Sequence, residues 1–214
     1  MIKRIPTLLF LLTITMVSAQ DNQSLNEQLG TIQATTKVNN KIYTFYSNLV
    51  KIQNGTIQAE GEFKKPEELF LGAKPAGEHY NINAALYFGN GRVYLFEGTK
   101  ALAFDIHPTE EGHFQYNEAE SGNLNELFDL PPYWNHVDAA IQYDTYNILF
   151  FYGPGLLVYN LKEKRTGEEF PIFKSAYTKI LGKVQLTAAF RDNNTHRVFI
   201  PKNRVTGIPS MGTK

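Results

Sequence analysis

Four times along the chain, a short run opening at or near an alanine pair is followed eight to ten residues later by a second run of β-branched and aromatic residues. The clearest copy reads Ile82-Asn83-Ala84-Ala85-Leu86-Tyr87-Phe88, Gly89-Asn90-Gly91, then Arg92-Val93-Tyr94-Leu95-Phe96. It continues through Glu97-Gly98-Thr99-Lys100 into Ala101-Leu102-Ala103-Phe104-Asp105. The next copy is Val137-Asp138-Ala139-Ala140-Ile141-Gln142-Tyr143, with Ile148-Leu149-Phe150-Phe151, Gly153-Pro154-Gly155 and Leu156-Leu157-Val158-Tyr159-Asn160. Leu186-Thr187-Ala188-Ala189-Phe190 with Val198-Phe199-Ile200 is a third. A worn copy comes first: Ile32-Gln33-Ala34-Thr35, Ile42-Tyr43-Thr44-Phe45 and Leu49-Val50-Lys51-Ile52. The copies start at 32, 82, 137 and 186, so they lie 50, 55 and 49 residues apart. A period of this length is the mark of a repeat architecture, in which each unit buries its apolar face against the next.

Within a unit, alternation and β-branched or aromatic residues mark strands, while Asn-Gly and Gly-Pro-Gly clusters mark tight turns. The first strands are expected near Gln33–Lys37, Asn83–Phe88, Asp138–Tyr143 and Thr187–Arg191. Second strands are expected at 42–45, 93–97, 148–151 and 197–200. Helix-like stretches at Pro66–Leu71, Leu124–Asp129 and Ser175–Leu181 separate the units; Pro66 opens the first, where its missing N–H costs nothing. Units of about 50 residues with three or four strands match the blades of a β-propeller, which closes radially and protects its strand edges. The fold expected is therefore all-β, a four-bladed β-propeller with short helices between blades. The blades run about 30–80, 81–135, 136–183 and 184–214. Alanine pairs suit strands crowded round an axis, where only small side chains allow close approach.

The recurring Asp/Asn-Ala-Ala, Val-Tyr-Leu-Phe-x-Gly and Ala-Phe-Asp pattern resembles hemopexin-type repeats across essentially all of residues 30–214, most closely at 82–106 and 137–161. The resemblance implies one blade per repeat, with first strands lining a central channel. Three departures are visible. Many members close the ring with a disulfide, and this chain has no cysteine. The aromatic-basic signature of the third strand is Ala101-Leu102-Ala103 in one unit and Leu156-Leu157-Val158 in the next. Only 25 residues follow Ala189, too few for a complete last blade. The chain is thus nearer to free-standing single propellers such as the plant seed albumins than to the heme carrier or the metalloproteinase domain. The resemblance further implies that carbonyls at the start of each first strand, Gln33, Asn83, Asp138 and Thr187, converge on a cation such as calcium. Amides at Ala34, Ala84, Ala139 and Ala188 would then face an anion. Oxygen donors suit a hard cation, and Asp138 is the one carboxylate in this ring.

Residues 1–19 read as a secretory signal peptide: Lys3 and Arg4, an apolar run Leu8–Val17 interrupted by Thr13 and Thr15, then Val17-Ser18-Ala19 before Gln20. Ten residues fall short of the roughly 20 needed to span a bilayer. A polar segment, 20–29, leads into the first blade. The mature chain is expected to be secreted and extracellular, as a glycoprotein if the host glycosylates the sequons at Asn22, Asn54 and Asn193. The chain carries 21 basic and 21 acidic residues, which argues against a nucleic-acid partner.

The residues show no catalytic motif. There is no His-Glu-x-x-His, no Gly-x-Ser-x-Gly and no phosphate-cradling loop before a helix. His107 and His113, beside Glu110 and Glu111, are the nearest approach to a metal or heme cluster, set against an ordinary solvated loop. Asp105, Asp138 and Asp192 are candidate acids or bases whose repeat positions point to structural roles. Lys162-Glu163-Lys164-Arg165 reads as a solvated hairpin, and Trp134 of Pro131-Pro132-Tyr133-Trp134 as packing for the entry to the third blade. Two readings stand. One is a non-catalytic binding module that presents loops or its channel to an extracellular protein, ion or small ligand, with an oligomer open. The other is a heme or metal carrier, with heme disfavoured because no two histidines occupy equivalent blade positions.

Overall fold

The computed structural model describes residues 31–57, 59–75, 77–167, 170–171, 186–191 and 197–201. The expected leader 1–19, Asn22, Asn193, Asp192, His196, the stretch 175–181 and the end of the last unit lie outside the described residues. The first sheet is β1 (Ala34–Val38), β2 (Lys41–Phe45), β3 (Val50–Asn54) and β4 (Gly61–Lys64), in that order. The second holds β5 (Phe70–Leu71), β6 (Ala84–Tyr87), β7 (Arg92–Glu97), β8 (Lys100–Ile106), β9 (Phe114–Tyr116) and β10 (Gly122–Asn123). The third holds β11 (Ala139–Gln142), β12 (Asn147–Tyr152), β13 (Gly155–Asn160), β14 (Arg165–Thr166) and β15 (Phe170–Pro171). Described of the fourth are β16 (Leu186–Arg191) and β17 (Arg197–Pro201). Pairing is antiparallel except where β5 runs parallel to β9 and ties the connection onto the outside of the second sheet. Short helices lie at Pro66–Leu69 and Leu124–Phe128, each ending within a residue or two of the expected stretch.

The register repeats with the sequence. Ala34 faces Phe45, Ala84 faces Phe96, Ala139 faces Phe151 and Ala188 faces Ile200. The first strands pack in a ring: β1 on β6, β6 on β11, β11 on β16, and β16 back on β1. Sheets therefore stack face to face around one line, and a middle strand such as β7 or β12 is covered on both sides. That explains why Val93–Phe96 and Ile148–Phe151 are buried continuously instead of alternating. The largest inter-sheet core joins the second and third sheets, where Phe96, Phe128 and Phe150 meet at centroid distances of 5.2–5.9 Å. Trp134 is buried there and packs on Tyr152, as read from the sequence, while Tyr133 beside it is exposed.

The fourth-to-first seam is different. Ile42 packs with Ala188, Phe190 and Ile200. Thr44 shares Ile42's face by strand alternation, and Thr35 and Gln53 are the direct cross-strand partners of Thr44 and Ile42. All three polar side chains are at most 1% exposed. Gln53 is satisfied, its amide Nε2 donating to the carbonyls of Ile57 and Ala59. Among the described residues, the Thr35 and Thr44 hydroxyls have no hydrogen-bond partner. Ring closure has no disulfide to hold it, and the buried polar side chains among the described residues, Thr35, Thr36, Thr44 and Gln53, all belong to the first sheet. A buried hydroxyl left unpaired costs about 1–3 kcal/mol. Thr44→Val is therefore expected to stabilise the chain and raise its melting midpoint by about 2–6 °C. A fall on calorimetry would show that the hydroxyl is satisfied in solution.

Candidate functional site: the axial cavity

Where the first strands converge, the structure leaves a cavity of about 210 Å3, lined by Thr36, Lys37, Asn39, Ala85, Leu86, Tyr87, Gly89, Ala140, Ile141, Gln142, Ala189, Phe190 and Arg191. The second alanine of each pair, Ala85, Ala140 and Ala189, lines it, while Ala34, Ala84, Ala139 and Ala188 just before are at most 1% exposed. Counting three residues on from each of these alanines gives Lys37, Tyr87, Gln142 and Arg191, one side chain from each sheet. All four line the cavity. It sits at the C-terminal ends of the first strands, the end opposite the ring expected to meet a cation.

At that other end, Gln33, Asn83 and Asp138 occupy equivalent places. Their backbone N–H groups donate to Phe45, Phe96 and Phe151 at 2.8 Å each. Thr187 falls at an irregularity in the β16–β17 register, between Leu186 and Ala188. The side chains of Asn83 and Asp138 turn back onto their own sheets. Asn83 Oδ1 accepts from Gly98 N–H at 2.7 Å, and Asp138 Oδ2 accepts from Gly153 N–H at 2.6 Å. Gly98 and Gly153 stand at φ +54° and +52°, first central residues of two-residue hairpins that favour glycine there. Asp138 Oδ1 also lies 3.2 Å from His136 Nε2. The carboxylate is thus committed to its own sheet's turn. Among the described residues there is no group of three or more His, Asp or Glu side chains placed to hold a metal.

His107 and His113 close a turn instead of forming a ligand set. His107 N–H donates to the His113 carbonyl at 2.8 Å, the Thr109 N–H reaches His107 Nδ1, and His113 Nδ1 lies 3.6 Å from Glu110. A second, larger hollow of about 480 Å3 runs beside this turn, but its charges are of both signs. They pair among themselves, Lys41 with Glu111 and Lys64 with Glu62 at 3.3 Å each. Burial, aided by Glu111, pushes the Tyr43 phenol at its edge up to about 12. Asn54 is exposed at the end of β3, accessible as its sequon requires.

Asp105 is structural. Its carboxylate takes Arg92 Nε at 2.7 Å and Asn117 Nδ2 at 2.6 Å, while Arg92 also reaches Glu120 at 3.0 Å. The Arg92 hydrogen bond holds the Asp105 carboxyl below the usual carboxylate range, against the opposing pull of burial. A folded pKa below the unfolded one stabilises at neutral pH, and that contribution is lost as pH falls through the folded value. The wild type is therefore expected to lose stability below about pH 4 more steeply than Asp105→Asn. Because Asp105 is 42% exposed the difference should be small, and parallel melting curves from pH 5 to 2.5 would contradict it.

No family model matches the chain, and no curated protein matches it in sequence. Solved structures do match its fold. A plant lectin with two metal binding sites from Cicer arietinum aligns with TM-score 0.64 at 15% identity, covering 86% of this chain and 92% of that one. A hemopexin fold protein from cow pea aligns with TM-score 0.60 at 16% identity, covering 74% and 76%. A seed albumin from Lathyrus sativus aligns with TM-score 0.60 at 16% identity, covering 80% and 82%. The fold is all-β and propeller-like. At these identities the likeness speaks for architecture alone. No helix among the described residues is long and apolar enough to cross a membrane.

The +3 ring escaped the sequence reading although the register that aligns the alanines also aligns Lys37, Tyr87, Gln142 and Arg191. The signal was present. What the sequence does not carry is which position along a first strand widens into a cavity.

Proposed function

We propose that the chain is a secreted, non-catalytic binding module, a free-standing four-bladed propeller of hemopexin type that takes a small ligand in its axial cavity. The observation that supports this most is the cavity itself. Every sheet contributes to it the residue three on from its first-strand alanine, and the lining among the described residues holds no Ser, Cys, His, Asp or Glu. Charged and amide groups set among alanine, leucine and phenylalanine are the usual furniture of a small-molecule site. Ligand-observed NMR with a fragment library tests the reading. Binders should be lost in Gln142→Trp, which fills the cavity from one wall, and should be recovered chemically unchanged after long incubation. Binders indifferent to the plug would move the function to the loops, and a converted fragment would make the protein an enzyme.

A second reading adds calcium at the start of the first strands, on the carbonyls of Gln33, Asn83, Asp138 and Thr187. Their shared place in the repeat favours it, and carbonyl oxygens suit this ion. With the Asp138 carboxylate occupied by Gly153 and His136, the site has little charge and its affinity is modest. Calcium at millimolar concentration should raise the melting midpoint over that in chelator. Identical midpoints would remove the ion. Heme stays disfavoured: His107 and His113 are held in a turn, so titration should give no stoichiometric Soret shift.

A further inference from the structure

Glycine follows asparagine twice in the chain, at Asn54-Gly55 and Asn90-Gly91, and the fold treats the two pairs differently. We infer that Asn90 is a site of spontaneous covalent modification, deamidation of its side chain to a carboxylate, and that Asn54 is protected from the same reaction. The reaction needs only the chain and water. The Gly91 backbone nitrogen, having lost its proton, adds to Asn90 Cγ. A C–N bond forms, the side-chain amide leaves as ammonia, and a succinimide closes. Water then opens that ring at one of its two carbonyls, which gives aspartate or isoaspartate at position 90. Nothing is oxidised or reduced.

The turn between β6 and β7 is arranged for this step. Asn90 is exposed, so water and hydroxide reach it. Its Oδ1 accepts from Arg92 N–H at 3.2 Å, and an asparagine bonded to the amide two residues on folds its side chain over the nitrogen in between. The same N–H is a donor on the oxygen where negative charge gathers as the nitrogen adds. Gly91, at φ +88°, has no Cβ to stand in the way, and its N–H donates to no backbone carbonyl among the described residues. Asn54 is exposed too, and Gly55 stands at φ +79°, so neither access nor backbone conformation separates the pairs. Hydrogen bonding does. Gly55 N–H donates to the Asn40 carbonyl at 2.9 Å, which pins that nitrogen in its hairpin and resists loss of its proton.

The product stands beside the axial cavity. Gly89, the residue before Asn90, lines it, and a Cβ at Gly89 would lie 3.3 Å from Gln142 Oε1. Deamidation adds a negative charge next to this closely fitted wall, and isoaspartate also adds a carbon to the backbone of the turn. Resting on the reading of the cavity as a ligand site, the chain thus ages into a second form with a changed cavity mouth.

Peptide mapping by mass spectrometry tests the modification, on protein made without glycosylation and held warm at mildly alkaline pH. Asn90 should gain about 1 Da, as its NH2 is replaced by OH, at least about tenfold faster than Asn54. The rate should rise with pH, and an isoaspartate-specific methyltransferase should label the Asn90 peptide. In urea, where the turn hydrogen bonds are lost, the two sites should convert at rates within about twofold of each other. Equal conversion of both sites in the folded chain would overturn the inference, as would an intact Asn90 under conditions where the unfolded chain converts. Asn90→Asp supplies the product charge directly and should shift the affinity of charged fragments for the cavity. Unchanged binding there would overturn the link to the cavity and leave the modification itself to the mapping.

Discussion

Phe150→Ala is expected to remove about 3–5 kcal/mol of stability, the range for deleting a fully buried phenylalanine. Phe150 is 0% exposed and stands between the second and third sheets, edge-on to Phe96 at 5.9 Å and beside Phe128 at 5.2 Å. Its removal leaves a hole that neither sheet fills, because both are fixed by their own ladders and by the helix Leu124–Phe128. For a chain of this size the melting midpoint should fall by about 10 °C. Phe63, on outer strand β4 and 37% exposed, is the control, and Phe63→Ala should cost less than about 1 kcal/mol. Urea denaturation with both variants decides it. Equal losses would mean that stability does not lie between the sheets.

Asp138→Ala comes next. It removes the acceptor for Gly153 N–H, and hydrogen bonds to a charged group are worth about 1.5–3 kcal/mol. Asn83→Ala removes the equivalent neutral bond to Gly98 N–H and should cost about 1 kcal/mol. Asp138→Asn keeps an acceptor of the kind the second sheet uses, so it should retain most of the stability. These losses should be the same with calcium and with chelator. A loss seen only in calcium would return the Asp138 carboxylate to the ion.

Much of this architecture is legible in the chain because the repeat is carried by hydrophobic pattern and turn residues. The same registers put Ala34, Ala84, Ala139 and Ala188 in one ring, and the first and second strands fall within a residue or two of the expected limits. Side-chain roles were harder to read. Asn83 and Asp138 share a place before the alanines, and only the hairpin geometry shows that their side chains accept from Gly98 and Gly153. Thr35 and Thr44 look like ordinary strand residues. Their cost appears only in the folded sheet, where both are buried without a hydrogen-bond partner among the described residues. His107 and His113 are close in sequence, and the turn between them uses backbone groups, which sequence spacing does not reveal.

The most direct measurement is a crystal structure of the protein soaked with a fragment that binds it. The account predicts β1, β6, β11 and β16 around one axis, with the fragment in the cavity beside Tyr87 and Gln142. A continuous sandwich or barrel, or a ring of sheets whose cavity stays closed while the fragment binds elsewhere, would contradict it.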